Sequence, residues 1–91
     1  MKPRCIRENK DFADALDRIR QDYSRASDWW IAWSYRLARD PLTDAMLVPN
    51  SIPAAYLIKP DRFDVDGAPP AMTILYRFDD ENLDMINIRL P

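Results

Sequence analysis

The sequence predicts an α+β fold: a two-helix hairpin packed on one face of a small, mostly antiparallel, twisted sheet of three to four strands, in a single domain over residues 1–91. Three observations lead there. Apolar residues recur at helical spacing from residue 10 to 26. A second apolar-rich run starts near residue 28 and stops before Pro41. From residue 55 onward the chain changes to short β-rich segments separated by turn-forming residues.

Cys5-Ile6-Arg7 predicts a brief edge strand. Phe12, Leu16, Ile19, Tyr23 and Ala26, with Ala15 beside them, form one stripe of a 3.6-residue period, and Asn9 or Asp11 can cap its start. Ser27 or Asp28 caps the second helix, over residues 28–39. In it Trp30, Trp33 and Leu37 make the natural inner face, and Trp29 lies about 100° from Trp30, which places Trp29 toward the surface. Pro41, Pro49 and Pro53 mark a long connection, with a short helical turn expected over residues 41–47 because Pro41 follows Asp40. Residues 55–59, 71–78 and 83–90 read as strands, and 60–70 as a polar loop. Pairing Phe78 with Leu83 sets Arg77 across from Asp84 and Leu75 across from Ile86. Arg77 and Arg89 then lie on opposite faces. The expected core is Phe12, Leu16, Ile19, Trp30, Trp33, Leu37, Leu75, Ile86 and Ile88.

Composition narrows the function. The chain is 47% hydrophobic and 31% charged, which fits a folded domain and excludes intrinsic disorder. It has no histidine, one glycine and one cysteine. These counts exclude His-based triads, His metal sites, glycine-rich phosphate loops, internal disulfides and paired-cysteine metal sites. The net charge of −2 argues against broad nucleic-acid binding through a basic face. That charge is uneven: residues 1–40 carry nine basic and seven acidic side chains, residues 41–91 four basic and eight acidic. No apolar stretch reaches the length of a membrane span or reads as a secretory signal, so no membrane association is expected and the expected location is cytoplasmic.

The order strand, helical hairpin, proline-containing connection and three-strand meander, with Tyr56-Leu57-Ile58-Lys59 and Ile74, Tyr76, Phe78, Asp79, Asp80 and Glu81, resembles the RelE/ParE superfamily of type II toxins. The resemblance implies a toxin-like component of a toxin–antitoxin system, neutralised by an antitoxin peptide or protein, with the ribosome or gyrase as cellular partner. In ribosome-dependent members, Lys and Arg side chains stabilise phosphate charge without a metal, and a Tyr near the C-terminus aids proton transfer. Lys59 matches one basic position and is the phosphate-binding candidate. Leu57 stands where a second Lys is expected and Thr73 where an Arg opens the long strand. The C-terminal Arg and Tyr positions would follow Leu90, where only Pro91 remains. With no catalytic residue assigned, the resemblance implies a non-nucleolytic or degenerate member. The alternatives are a small non-enzymatic interaction or dimerisation domain with a homodimer seam around Trp29, and a ribosome-dependent mRNA endonuclease. Trp29, Tyr56 and Tyr76 are the partner-binding candidates.

The remaining clusters read as ordinary surface. Asp61, Asp64 and Asp66 surround a turn and lack the Glu that closes a calcium loop. Asp79, Asp80, Glu81 and Asp84 suit a hairpin tip. Cys5 and the serines have no histidine to activate them. No metal and no cofactor is therefore assigned.

Overall fold

A computed structural model gives the fold for residues 3–59, 67–69 and 72–89. Asp61, Asp64 and Asp66 lie outside the described residues, as does the rest of the 60–70 loop apart from residues 67–69. In chain order the elements are β1 (Cys5–Glu8), α1 (Lys10–Asp22), α2 (Ala26–Arg39), β2 (Met46–Leu47), β3 (Tyr56–Ile58), β4 (Thr73–Phe78) and β5 (Asn82–Arg89). The strands form one sheet in the order β1-β5-β4-β3-β2. Strand β1 runs parallel to β5, and every other neighbouring pair is antiparallel. The α+β class holds, but the sheet has five strands and is mixed. The extra strand is β2, in the segment expected to be a helical turn. Residues 41–44 form a turn that is not helical, with Asp44 at φ 62, and Met46 and Leu47 then pair with Leu57 and Tyr56.

Helix α1 follows its periodicity. The Asn9 side chain accepts from the Phe12 N–H at 2.8 Å and satisfies one of the free donors of the first turn. Phe12, Ala15, Leu16 and Ile19 are the buried stripe. Helix α2 begins at Ala26, earlier than its expected caps, with no side-chain cap hydrogen bond. Its entry is held by backbone instead: the Arg25 N–H donates to the Gly67 carbonyl at 2.8 Å. Gly67, the chain's one glycine, has φ +82 and sits where a Cβ would meet the Ser24 hydroxyl. The hydroxyl can rotate away, but the left-handed backbone still favours glycine.

The inner face of α2 differs from the expected one. Trp29 is buried at 1% exposure and packs on Trp30, ring centroids 6.2 Å apart, while Phe12 lies 5.1 Å from Trp30. Trp33 is only partly buried, at the margin of the core, with the Arg36 guanidinium 4.9 Å over its ring. The buried positions are Ala26, Trp29, Trp30, Leu37 and Ala38, so the stripe is broader than the 30–33–37 line and rotated toward Trp29. The small Ala26 side chain, one turn before Trp29 and Trp30, leaves room for both indoles.

The hairpin of β4 and β5 keeps the expected pairs Phe78–Leu83, Arg77–Asp84 and Tyr76–Met85, then slips at a bulge. Beyond it Leu75 faces Asn87, Ile74 faces Ile88 and Thr73 faces Arg89. Ile86 is the extra residue, so Ile86 and Asn87 both fall between the buried Met85 and Ile88. The helices cover the face carrying Ile58, Met72, Ile74, Tyr76, Leu83, Met85 and Ile88. Leu75 and Ile86, expected in the core, are half-buried on the opposite face. Both faces of the hairpin are apolar, so composition alone did not say which one the helices would take.

Trp29→Ala and Trp30→Ala should each cost ~3–5 kcal/mol and Trp33→Ala clearly less, measured by denaturant melts. Gly67→Ala should cost ~1–2 kcal/mol through its left-handed backbone, measured in the same way.

Candidate functional site

Three of the four residues singled out from the sequence serve the core. Trp29 and Tyr76 are buried, so neither offers a partner-binding surface. Tyr56 is half-buried and packs against the core, its ring 6.1 Å from Tyr76 and 5.1 Å from Phe78. Tyr56 and Tyr76 are paired on the helix-covered face of the sheet, and Trp29 meets that face from α2. The Tyr76 hydroxyl donates to the Pro41 carbonyl and ties the sheet to the end of α2. Burial, with the nearby Tyr56 and Asp40, pushes the Tyr76 phenol up to about 12. Only Lys59 is exposed, at the end of β3.

Among the described residues, the opposite face of the sheet carries no covering element. Val48, Leu57, Thr73, Leu75, Asn87 and Arg89 line a groove of about 450 Å³ there. Leu57, Leu75 and Asn87 form one row across three strands, and Thr73 and Arg89 form the next. Continuing the β3–β4 register by one residue brings Lys59 to the Thr73 end of that second row. The bulge also places Arg77 and Arg89 on the same face, contrary to the simple register. They do not converge, because they occupy opposite ends of β4's pairing with β5.

Arg77 lies across from Asp84 as expected, but the charge pair forms elsewhere. Arg7 of β1 holds Asp84 through two hydrogen bonds of 2.5 and 2.9 Å, and this bonding raises the Arg7 pKa further. Arg77 instead donates to the Pro53 carbonyl at 3.2 Å. At the hairpin tip, the backbone N–H groups of Glu81 and Asn82 donate to Asp79 and hold its carboxyl below the usual range. These charges fasten strands and turns. Among the described residues no group of three or more His, Cys, Asp or Glu side chains is placed to hold a metal, and Cys5 is exposed. No helix among the described residues is long and apolar enough to cross a membrane.

No family model matches the chain, and neither a curated protein nor a solved structure matches it. The candidate site therefore rests on its own geometry. The alternation in Thr73-Ile74-Leu75-Tyr76-Arg77 groups Thr73, Leu75 and Arg77 on one face, but Leu75 was expected in the core, so the sequence did not mark that face as the uncovered one. Asn87 and Arg89 join that face only through the bulge, for which no glycine or proline stands as a marker.

The Tyr76 geometry has a pH consequence. Its folded-state value lies above the ordinary 10, so its stabilisation is complete below pH 10 and is lost as pH rises from 10 toward 12. Thermal melts should show this alkaline loss in the native chain and a smaller one in Tyr76→Phe. At neutral pH Tyr76→Phe should cost ~1–3 kcal/mol, because the Pro41 carbonyl loses its buried donor.

Proposed function

We propose that this chain is a cytoplasmic RelE/ParE-like toxin component that does not cleave RNA, and that an antitoxin polypeptide engages the open face of its sheet. The observation that carries the reading is the uncovered, partly apolar sheet face, lined where the resemblance expects cations by Leu57 and Thr73. The element order supports it: one strand, two helices, a connection, and the β3–β4–β5 meander. Clamping a phosphoryl transition state needs several preorganised donors, and removing one such donor typically costs ~10²–10³ in rate. Lys59 has Leu57 and Thr73 as its companions at the matched positions, so a ribosome or gyrase target would be bound rather than cut.

The second reading is a small interaction or dimerisation domain. It is favoured by Ile31 and Tyr35, one helical turn apart on α2 and 65% and 61% exposed. These residues replace Trp29 as the seam.

Induced expression of the chain should arrest growth, and co-expression of the product of an adjacent reading frame should relieve the arrest. Indifferent growth would favour the interaction-domain reading. Ribosome-bound message incubated with the chain should show no defined cuts by primer extension. Cuts that disappear in Lys59→Ala would replace this proposal with the ribosome-dependent endonuclease.

A further inference from the structure

We infer that the open-face groove takes an extended peptide segment combining apolar side chains with one acidic side chain, and that the acidic group meets Arg89. The inference rests on the partner-binding reading above and adds the chemistry of the partner. Its basis is the direction of polarity along the groove. Val48, Leu57 and Leu75 are its apolar part, running from β4 toward β2; Asn87 and Arg89 stand on β5, and Thr73, on β4 like Leu75, lies in the row of Arg89. The apolar row continues past Leu57 to Met46, its partner on β2, which is 55% exposed. The row of Thr73 and Arg89 lies two residues along the strands from it, about 7 Å away. A ligand filling both rows needs apolar groups on one side and a hydrogen-bond acceptor on the other.

The β5 end favours a carboxylate. Asn87 uses its side-chain oxygen to accept from the Ile88 N–H at 2.8 Å, which leaves its NH₂ group as a donor. Arg89 adds a guanidinium fork suited to bidentate contact with a carboxylate. Among the described residues no acidic side chain lines the groove. The nearest competitors belong to α1: Arg89 also borders a hollow with Asp11, Asp14 and Arg18. A bound acid must draw the guanidinium from that side, so the interaction should weaken with salt.

A nucleic acid fits less well. Proteins that hold single strands combine a cationic track with aromatic platforms for the bases. Here Tyr56, Tyr76 and Phe78 pack on the helix-covered side, and among the described residues the groove itself has one cation with Lys59 beyond it. A small aliphatic acid would leave one side in water over an open groove, whereas a peptide extends the contact to Met46 and the rim.

The test is selection from a random peptide library on the folded chain, with Arg89→Glu as the comparison. Arg89 is exposed at the end of β5, and unchanged thermal melts confirm that this variant folds. The native chain should enrich an alternating apolar pattern carrying Asp or Glu. Arg89→Glu should enrich Lys or Arg there and bind the native-selected peptide at least about tenfold more weakly. Amide shift changes on binding should map to Leu57, Thr73, Leu75, Asn87 and Arg89. A consensus without an acid, the same consensus from both chains, shifts centred on α2, or binding of oligouridylate in preference to peptide would each overturn the inference. The selection uses the isolated chain, so it reads the groove independently of toxicity. Indifferent growth with the charge-switched consensus intact would remove the toxin reading and leave the groove assignment standing.

Discussion

One-sided cover is the constraint on which this structure depends. Among the described residues, two short helices shield one face of a five-stranded sheet and nothing covers the other. A chain of 91 residues can build only one modest core, and its largest side chains are spent on that face. Trp29, Trp30, Phe12 and Tyr76 each bury a large apolar area there. The helices must therefore carry apolar residues broadly enough to span β5 and β4, which is why Ala26, Trp29 and Trp30 all turn inward. The same constraint leaves Leu57, Leu75 and Ile86 half-covered, because no third layer of chain is described above them.

The legible part of the fold was the part set by local chemistry. The Phe12–Leu16–Ile19 period, the Asn9 cap and the stop before Pro41 are each decided within a turn or two of helix, and they gave both helices to within a few residues. The Phe78–Leu83 pairing was also local, fixed by a short acidic loop. What failed depended on long-range choice. The wheel put Trp33 inward and Trp29 outward, and packing of α2 against the sheet reverses the two. Leu75 and Ile74 are equally apolar neighbours until the helices select a face. Strand β2 is two residues long, and it exists because Met46 and Leu47 lie alongside β3, not because their sequence demands a strand.

The bulge shows how one such choice reaches the candidate site. In an uninterrupted ladder, Arg89 would share a row with Met72 and sit on the core face. One extra residue at Ile86 turns it outward, and Ile88 takes the inward position beside Ile74. Packing supplies the incentive, since an apolar Ile replaces an Asn or Arg next to α1. The outcome is a surface arrangement obtained through core packing: Asn87 and Arg89 reach the groove as Ile88 takes its place in the core. Neither residue's sequence context marks it as part of a site.

This origin bears on what the open face can do. Among the described residues its cations are divided: Arg7 is held by Asp84 and Arg77 by the Pro53 carbonyl, while Lys59 and Arg89 stand at the two ends of the row through Thr73. Rate enhancement at a phosphate needs charges fixed around one point, whereas recognition of a peptide needs donors and apolar contacts distributed along a line. The rows Met46–Leu57–Leu75–Asn87 and Thr73–Arg89 form such a line. The distribution of charge, more than the number of basic residues, makes binding without cleavage the reading that fits this face.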